Sequence, residues 1–333
     1  LTDIEKQNLK RNIRKNIKRK FNLKKFSSIA ATLVLTLGLF SQTSFGKNVY
    51  ATAGSKISEI SYSVGKALGI EKNIEPYGNV VNQVVENGGI EVKLTDVIID
   101  KDELIFSTIV NTNKAVSGFN LDYNIYINGK KLRDYGGSGF SGPIDDSKTL
   151  FNEIYSFDVK GIDTKKDVDI RIVLDNFNYY IEGLEKGEIK EEKIKGKWEF
   201  EFIANGSQLM ANTHALPLDY SFNIDNTKYI LEEFRYNPVN QKIYGKIGDK
   251  NQGLEYDFEL RGKDNLGNKL VFYLSSADRE NLVFKYNNYD RNLAEEITSI
   301  NLTPYAVKFP EESGRMNNNW EQVGEEFTIY INK

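Results

Sequence analysis

Twenty-one consecutive residues without a charge, Phe26 to Gly46 (FSSIAATLVLTLGLFSQTSFG), lie between Lys25 and Lys47. A helix needs about 20 apolar residues to cross a bilayer. The apolar centre is Ile29–Phe40, and Ser27, Ser28, Ser41, Gln42, Thr43 and Ser44 dilute its flanks. The reading is therefore a marginal transmembrane helix over residues 26–46. It divides the chain into a short head and a long body that must fold in different surroundings.

Charge sets the orientation. Residues 1–25 hold ten basic and two acidic side chains, a net +8. The whole chain is −3, so residues 26–333 carry −11. Basic segments stay on the cytoplasmic side, which places the body outside the cell. The predicted location is the cell membrane, single-pass, with the N-terminus cytoplasmic and the C-terminal domains extracellular. The competing reading is a cleaved signal peptide ending near Ser44-Phe45-Gly46 or Val49-Tyr50-Ala51. The basic region is long for that role, and it has the pattern of an amphipathic helix. Leu9, Ile13, Ile17 and Phe21 recur every four residues, behind a Thr2-x-x-Glu5 capping box. Either reading exports residues 47–333. Basic residues beside a membrane bind anionic lipid headgroups, so membrane lipid is an expected partner and direct nucleic-acid binding is not. The chain begins with Leu1, and about 25 residues ahead of the span is short for a functional module; upstream sequence is expected.

Residues 47–78 read as a stalk. Ile57, Ile60, Val64, Ala67 and Leu68 form one apolar stripe of a short helix, and Pro76 and Gly78 mark a loop. From Asn79 the pattern changes to period two. Runs such as NVVNQVV, IEVKLTDVII, ELIFSTIV, LDYNIYING, NEIYSFDV, DVDIRIVLD and KWEFEFIA alternate with Asn-Gly and Asp-rich turns. Seven short strands in about 120 residues suit an antiparallel immunoglobulin-like sandwich. The second half repeats the order. Segment 90–110 compares with 229–248, 123–132 with 256–270, 167–177 with 295–305, and Trp198 with Phe327, at offsets of 139, 133, 128 and 129. The fold class read here is mostly β: two tandem antiparallel immunoglobulin-like β-sandwiches, 79–205 and 206–333, preceded by a transmembrane helix and a stalk helix. Asn205–Pro217 reads as a polar linker.

Chemistry is sparse. The chain has no cysteine and one histidine, His214, placed in the linker. That removes disulfides, thiolate sites and thiol nucleophiles, and leaves any triad or histidine metal site resting on one residue. GGSGFSG (136–142) has neither the Lys-Ser/Thr of a phosphate loop nor the G-x-S-x-G spacing, and reads as a loop between strands. The acidic clusters Asp100/Asp102/Glu103, Asp145/Asp146 and Asp167/Asp169 lack calcium-loop spacing and read as solvated turns. Trp198, on a strand, reads as core; Trp320, in MNNNWEQ, reads as the better exposed contact. No catalytic, cofactor-binding or metal-ligating residue is assigned, no cofactor is expected, and the chain is read as no enzyme.

The basic stub LKRNIRKNIKRKFNLKKF, the Ala/Leu/Thr span, the stalk and NQVVENGGIEVKLTDVIIDKDELIFSTIV occur in a characteristic order. Together with GKWEFEF and YDFELRGKDNLGNKL, they resemble a family of Firmicute membrane proteins with an exported domain of unknown function and a second β domain. Members are described as anti-sigma-factor-like. The resemblance implies that the cytoplasmic end holds a sigma factor while the outer domains sense a signal. It carries over no sigma-binding residue. The other reading is a surface module that contacts cell-wall polymer or another protein.

Overall fold

The computed structural model describes residues 74–133, 135–182, 189–248, 255–286, 293, 296–310, 312 and 316–331. The basic segment 1–25, the predicted span 26–46 and the stalk stripe 57–68 lie outside them. Among the described residues, no helix is long and apolar enough to cross a membrane. The chain divides into two compact units at Met210/Ala211.

The first unit follows a short 3-10 turn, Glu75–Tyr77. Its strands are β1 (Asn79–Asn87), β2 (Ile90–Ile99), β3 (Glu103–Asn111), β4 (Gly118–Ile127), β5 (Lys130–Lys131), β6 (Gly137–Pro143), β7 (Leu150–Asp158), β8 (Val168–Glu182) and β9 (Ile189–Ala204). They make two antiparallel sheets, β1-β2-β3-β7-β6 and β5-β4-β8-β9. From β2 onward this is the pairing order of the immunoglobulin sandwich, one sheet of the first, second, fifth and fourth strands and the other of the third, sixth and seventh. β1 is an added edge strand.

Period-two alternation aims one set of side chains between the sheets. Val92, Leu94, Val97, Leu104 and Phe106 from one sheet meet Ile125, Ile172, Leu174, Trp198 and Phe200 from the other. Trp198 is fully buried and donates Nε1–H to the Ile90 carbonyl at 3.0 Å, so its one polar atom is satisfied. This is the core role read for it in the sequence.

On one side the two sheets are stitched together. Asn79, Gln83 and Asn87 of β1 donate side-chain amides to the carbonyls of Asn205, Glu201 and Lys197 at 3.4, 2.8 and 3.2 Å. The four-residue spacing on both strands turns an exposed edge into a ladder, which removes the free backbone groups that edges offer.

The segment read as a linker is structured. A one-turn helix α1 (Ser207–Ala211) buries Leu209, and Gly206 N donates to the Thr164 carbonyl at 2.8 Å. There is no room there for a Cβ, which would stand 2.4 Å from the Ile99 carbonyl oxygen. His214 is not in a linker either; it opens a strand.

The second unit has β10 (His214–Ile224), β11 (Thr227–Tyr236), β12 (Gln241–Ile247), β13 (Tyr256–Asp264), β14 (Lys269–Ala277), β15 (Asn281–Tyr286), β16 (Ser299–Lys308), β17 (Glu321–Gln322) and β18 (Phe327–Tyr330). They run in one nine-stranded sheet, β10-β11-β12-β15-β14-β13-β16, with β17 and β18 both on β16. It wraps a core of its own that includes Leu231, Phe234, Phe258, Phe272, Phe284 and Leu302. The expectation of two separate facing sheets fails here, because β14 bonds to both β13 and β15 and joins them.

The internal repeat holds in the registers. Val80 opposes Asp96 and Gln83 opposes Leu94, with a bulge between them; Pro217 opposes Glu233 and Tyr220 opposes Leu231, with the same bulge. Leu94–Thr108 and Val97–Phe106 likewise match Leu231–Gly245 and Phe234–Ile243. Each residue of β1–β3 therefore maps onto the residue 137 positions later. That corrects the offset of 139 read for this hairpin. At the far end the sequence comparison agrees with the pairing: Leu174 opposes Trp198 and Leu302 opposes Phe327. In between, the offset of 133 is overturned, since Tyr123 opposes Leu174 whereas Gly262 opposes Leu302.

Candidate functional site

The two units differ most at one corner. In the second, the strand after β13 crosses whole from one half of the sheet to the other as β14. In the first, the equivalent stretch is split: β5 pairs only with β4, and β6 only with β7. Among the described residues, neither β5 nor β6 has a second strand partner, so both sheets end at this corner. It is the side away from the β1–β9 ladder.

β6 (GSGFSGP) takes in all of the run GGSGFSG but Gly136, a run read in the sequence as a loop and found as a strand. The reason lies in its partner. Gly137 and Gly139 oppose Phe157 and Tyr155, and a Cβ on Gly139 would sit 2.6 Å from the Tyr155 ring. The rings lie over the bare backbone, which compensates for the poor strand propensity of glycine. Phe140 of the same strand is 60% exposed.

The aromatic rings of Phe106, Tyr123, Tyr135, Tyr155 and Phe157 form one cluster of tilted, edge-on and stacked contacts, with the Tyr123 and Tyr155 centroids 4.4 Å apart. Within this cluster is Glu153, fully buried. The run LFNEIYSFD sends Phe151, Glu153, Tyr155 and Phe157 to the same face, so an acid occupies a core position. Tyr155 donates its hydroxyl to Oε1 at 2.7 Å; Thr108 and Tyr123 donate to Oε2 at 3.0 and 3.4 Å. Burial raises the carboxyl from its usual 4.5 to about 7, against the pull of those three donors. The same burial, with the carboxylate beside them, pushes both tyrosine hydroxyls up. Chemically the site is a proton-accepting group that changes charge near neutral pH inside an aromatic shell.

The residues singled out in the sequence do not gather. His214 is exposed and stacks on Tyr236 at 4.9 Å. Trp320 is half-buried, with the Arg261 guanidinium 4.8 Å from its ring and equally close to that of Tyr305, so its face is occupied by a cation. Asp100 is buried and caps the β2–β3 turn by accepting from Lys101 N at 2.7 Å, and Glu103 is buried and accepts from Ser156. Neither is the solvated turn residue expected. Asp145 accepts from Ser147, Asp167 from Asn205, and Asp146 and Asp169 are exposed. Among the described residues, no three metal-ligating side chains converge. Glu153 was missed in the sequence, although an acid alternating with three aromatics on one strand face is a legible signal.

Residues 18–112 match the sequence model of a domain of unknown function, DUF4179, and residues 213–331 match that of a family of unknown function, DUF5643. Each half is thus similar to a family without an assigned role. A crystal structure of a conserved domain protein from Bacillus anthracis resembles the chain with a TM-score of 0.58. The match is 16% identical and covers 79% of this chain and 94% of that one, a likeness of fold alone. No curated protein matches the chain.

Proposed function

We propose that the chain is a single-pass membrane regulator of the anti-sigma type. Its β units lie outside the cell and take up a signal, and its cytoplasmic end holds a sigma factor. The observation that carries the sensing half is the open corner of the first unit. Two strand edges that have no second partner among the described residues flank an aromatic cluster around a buried acid there, where the second unit is closed by β14. A free edge can accept an extended segment by strand addition, and the exposed Phe140 offers an apolar anchor beside it. The sigma-binding half rests on the resemblance of the N-terminal order of parts, together with the charge asymmetry that keeps the head in the cytoplasm. The full-length chain, isolated from its native membrane with its whole cytoplasmic end, is expected to bring down a sigma factor. Recovery of none would refute that half. Retention of the chain on cell wall, with no sigma factor attached, would favour the surface-module reading.

A further inference from the structure

Asp158 N donates to the Gly136 carbonyl at 2.9 Å, and Ile144 N to the Leu150 carbonyl at 2.8 Å. An antiparallel ladder alternates, so the even positions of β6 bond to β7 and the odd ones turn outward. The N–H groups of Gly137, Gly139 and Ser141 therefore point away from the sheet, as do the carbonyls of those residues and of Pro143. Every residue of β6 except Gly142 is exposed, so this edge is open to a partner. The other edges carry the devices that stop strands from pairing. β1 and β9 are bridged to each other. β5 is two lysines, and β17 and β18 are two and four residues long. β10 has Pro217, Asp219 and a bulge between Pro217 and Tyr220. β6 has no charge and no bulge, and its proline comes only at the end.

The flanks of β6 are of opposite sign. Ahead of it, Lys130, Lys131 and Arg133 outnumber Asp134, a net +2 over residues 130–136; behind it, Asp145 and Asp146 give −2 over residues 144–147. Lys130, Lys131, Arg133, Asp145 and Asp146 are all exposed. Antiparallel pairing sets the start of one strand beside the end of the other, so a second β6 would bring each basic flank to an acidic one. The middle residue of the strand, Phe140, is 60% exposed and would be covered by the same pairing. We propose that β6 pairs antiparallel with β6 of a second copy of this chain, centred on Phe140, and joins two first units edge to edge across a two-fold axis. In that register Gly139 and Ser141 exchange bonds with Ser141 and Gly139 of the second copy. Gly137 N–H meets the Pro143 carbonyl, and only the bond that proline cannot donate is missing. Phe140 faces Phe140 as a non-hydrogen-bonded pair, the kind in which cross-strand side chains come closest. Carried two residues past the strand ends, the register sets Asp145 opposite Tyr135 and diagonal to Arg133 of the second copy. The second copy is then the extended segment that this corner takes up, which rests on the reading of the corner as a strand-addition edge and not on the sigma factor.

Because the full chain has no cysteine, single thiols report the pairing directly. In cells expressing the full chain, F140C under a mild copper oxidant is expected to form a disulfide-linked dimer, because the two copies of residue 140 stand about 4.5 Å apart. S138C meets its own copy only about 14 Å away and should cross-link at least about tenfold more slowly. N120C, exposed on the other sheet, sets the rate of chance collision. Adding S141P to F140C removes an outward N–H and no bond to β7, and should bring the rate down to that of N120C. Equal rates for F140C and S138C, or a rate that S141P leaves unchanged, would overturn the proposal. If S141P also lowers the melting temperature, the charge swap decides: D145R should slow F140C, and R133D in the same chain should restore it, whereas no slowing or no rescue would overturn the pairing. Slow amide exchange at Gly139 and Ser141 without an F140C disulfide would mean that a different strand occupies the edge; self-pairing then falls while the edge reading stands. A chain that stays monomeric yet brings down a sigma factor likewise overturns the self-pairing alone.

Discussion

Glu153 carries the clearest consequence at the scale of single residues. Its folded carboxyl titrates near 7 and its unfolded one near 4.5, so the folded state holds the extra proton between those values. The contribution of Glu153 to stability is therefore full below about pH 4.5 and is lost as pH rises through 7. The shift corresponds to about 3 kcal/mol of stability lost by pH 8, an order of magnitude only. E153Q keeps the shape and an acceptor for Tyr155 without the charge. Chemical denaturation at pH 5 and pH 8 should show a marked loss at pH 8 for the native chain and a much smaller one for E153Q. Equal pH dependence in both would contradict the assignment. Trp198 sits at the other extreme, with every atom satisfied. W198F keeps most of the ring but abandons the Ile90 carbonyl and opens space in the core, and should cost about 2–4 kcal/mol in an equilibrium melt.

β6 is the element whose behaviour departs furthest from its composition. Glycine, serine and proline make a poor strand, yet they are the residues that let backbone pass against two aromatic rings. G139V would improve intrinsic strand propensity and still fail, because its Cβ meets the Tyr155 ring at 2.6 Å. Overpacking of this kind costs about 1–3 kcal/mol, readable as a shift in the urea midpoint, whereas a loop would tolerate the change. The β1–β9 ladder makes a second element-scale prediction. Q83A removes the amide that reaches the Glu201 carbonyl at 2.8 Å and should cost about 1 kcal/mol, with faster amide exchange along β9. The hairpins themselves were legible: IEVKLTDVII and ELIFSTIV are strands at the residues read for them, because Asp100 and Gly88-Gly89 punctuate clean alternation. β8 and β9 were legible only in part. Their outer halves, IKEEKIKGK among them, are too polar to announce a strand, and they persist because each pairs with the other along its length.

At the scale of the whole molecule, each unit has its own hydrophobic core and its own hydrogen-bonded sheet. Residues 211–333 expressed alone should therefore fold with a single cooperative transition and retain the slow amide exchange of β12, β15 and β14. A fragment without a cooperative melt would show that the second core depends on the first unit. The shared register over β1–β3 and β10–β12, including one bulge at the same place, indicates that the two cores are built on the same hairpin plan. They diverge where β14 stays whole and its counterpart breaks into β5 and β6.

What was readable along the chain is whatever depends on neighbours in sequence: strand period, turn chemistry, the charge step between head and body, and the absence of thiol and histidine chemistry. Those are local quantities, fixed by residue type and spacing. The tertiary structure alone decided the rest. It made a glycine run a strand, turned a linker into a packed turn, closed Arg261 over Trp320, and placed an acid among three hydroxyl donors. Each of these depends on groups brought together from strands distant in the chain, and on the loss of water between them, which no window of sequence contains.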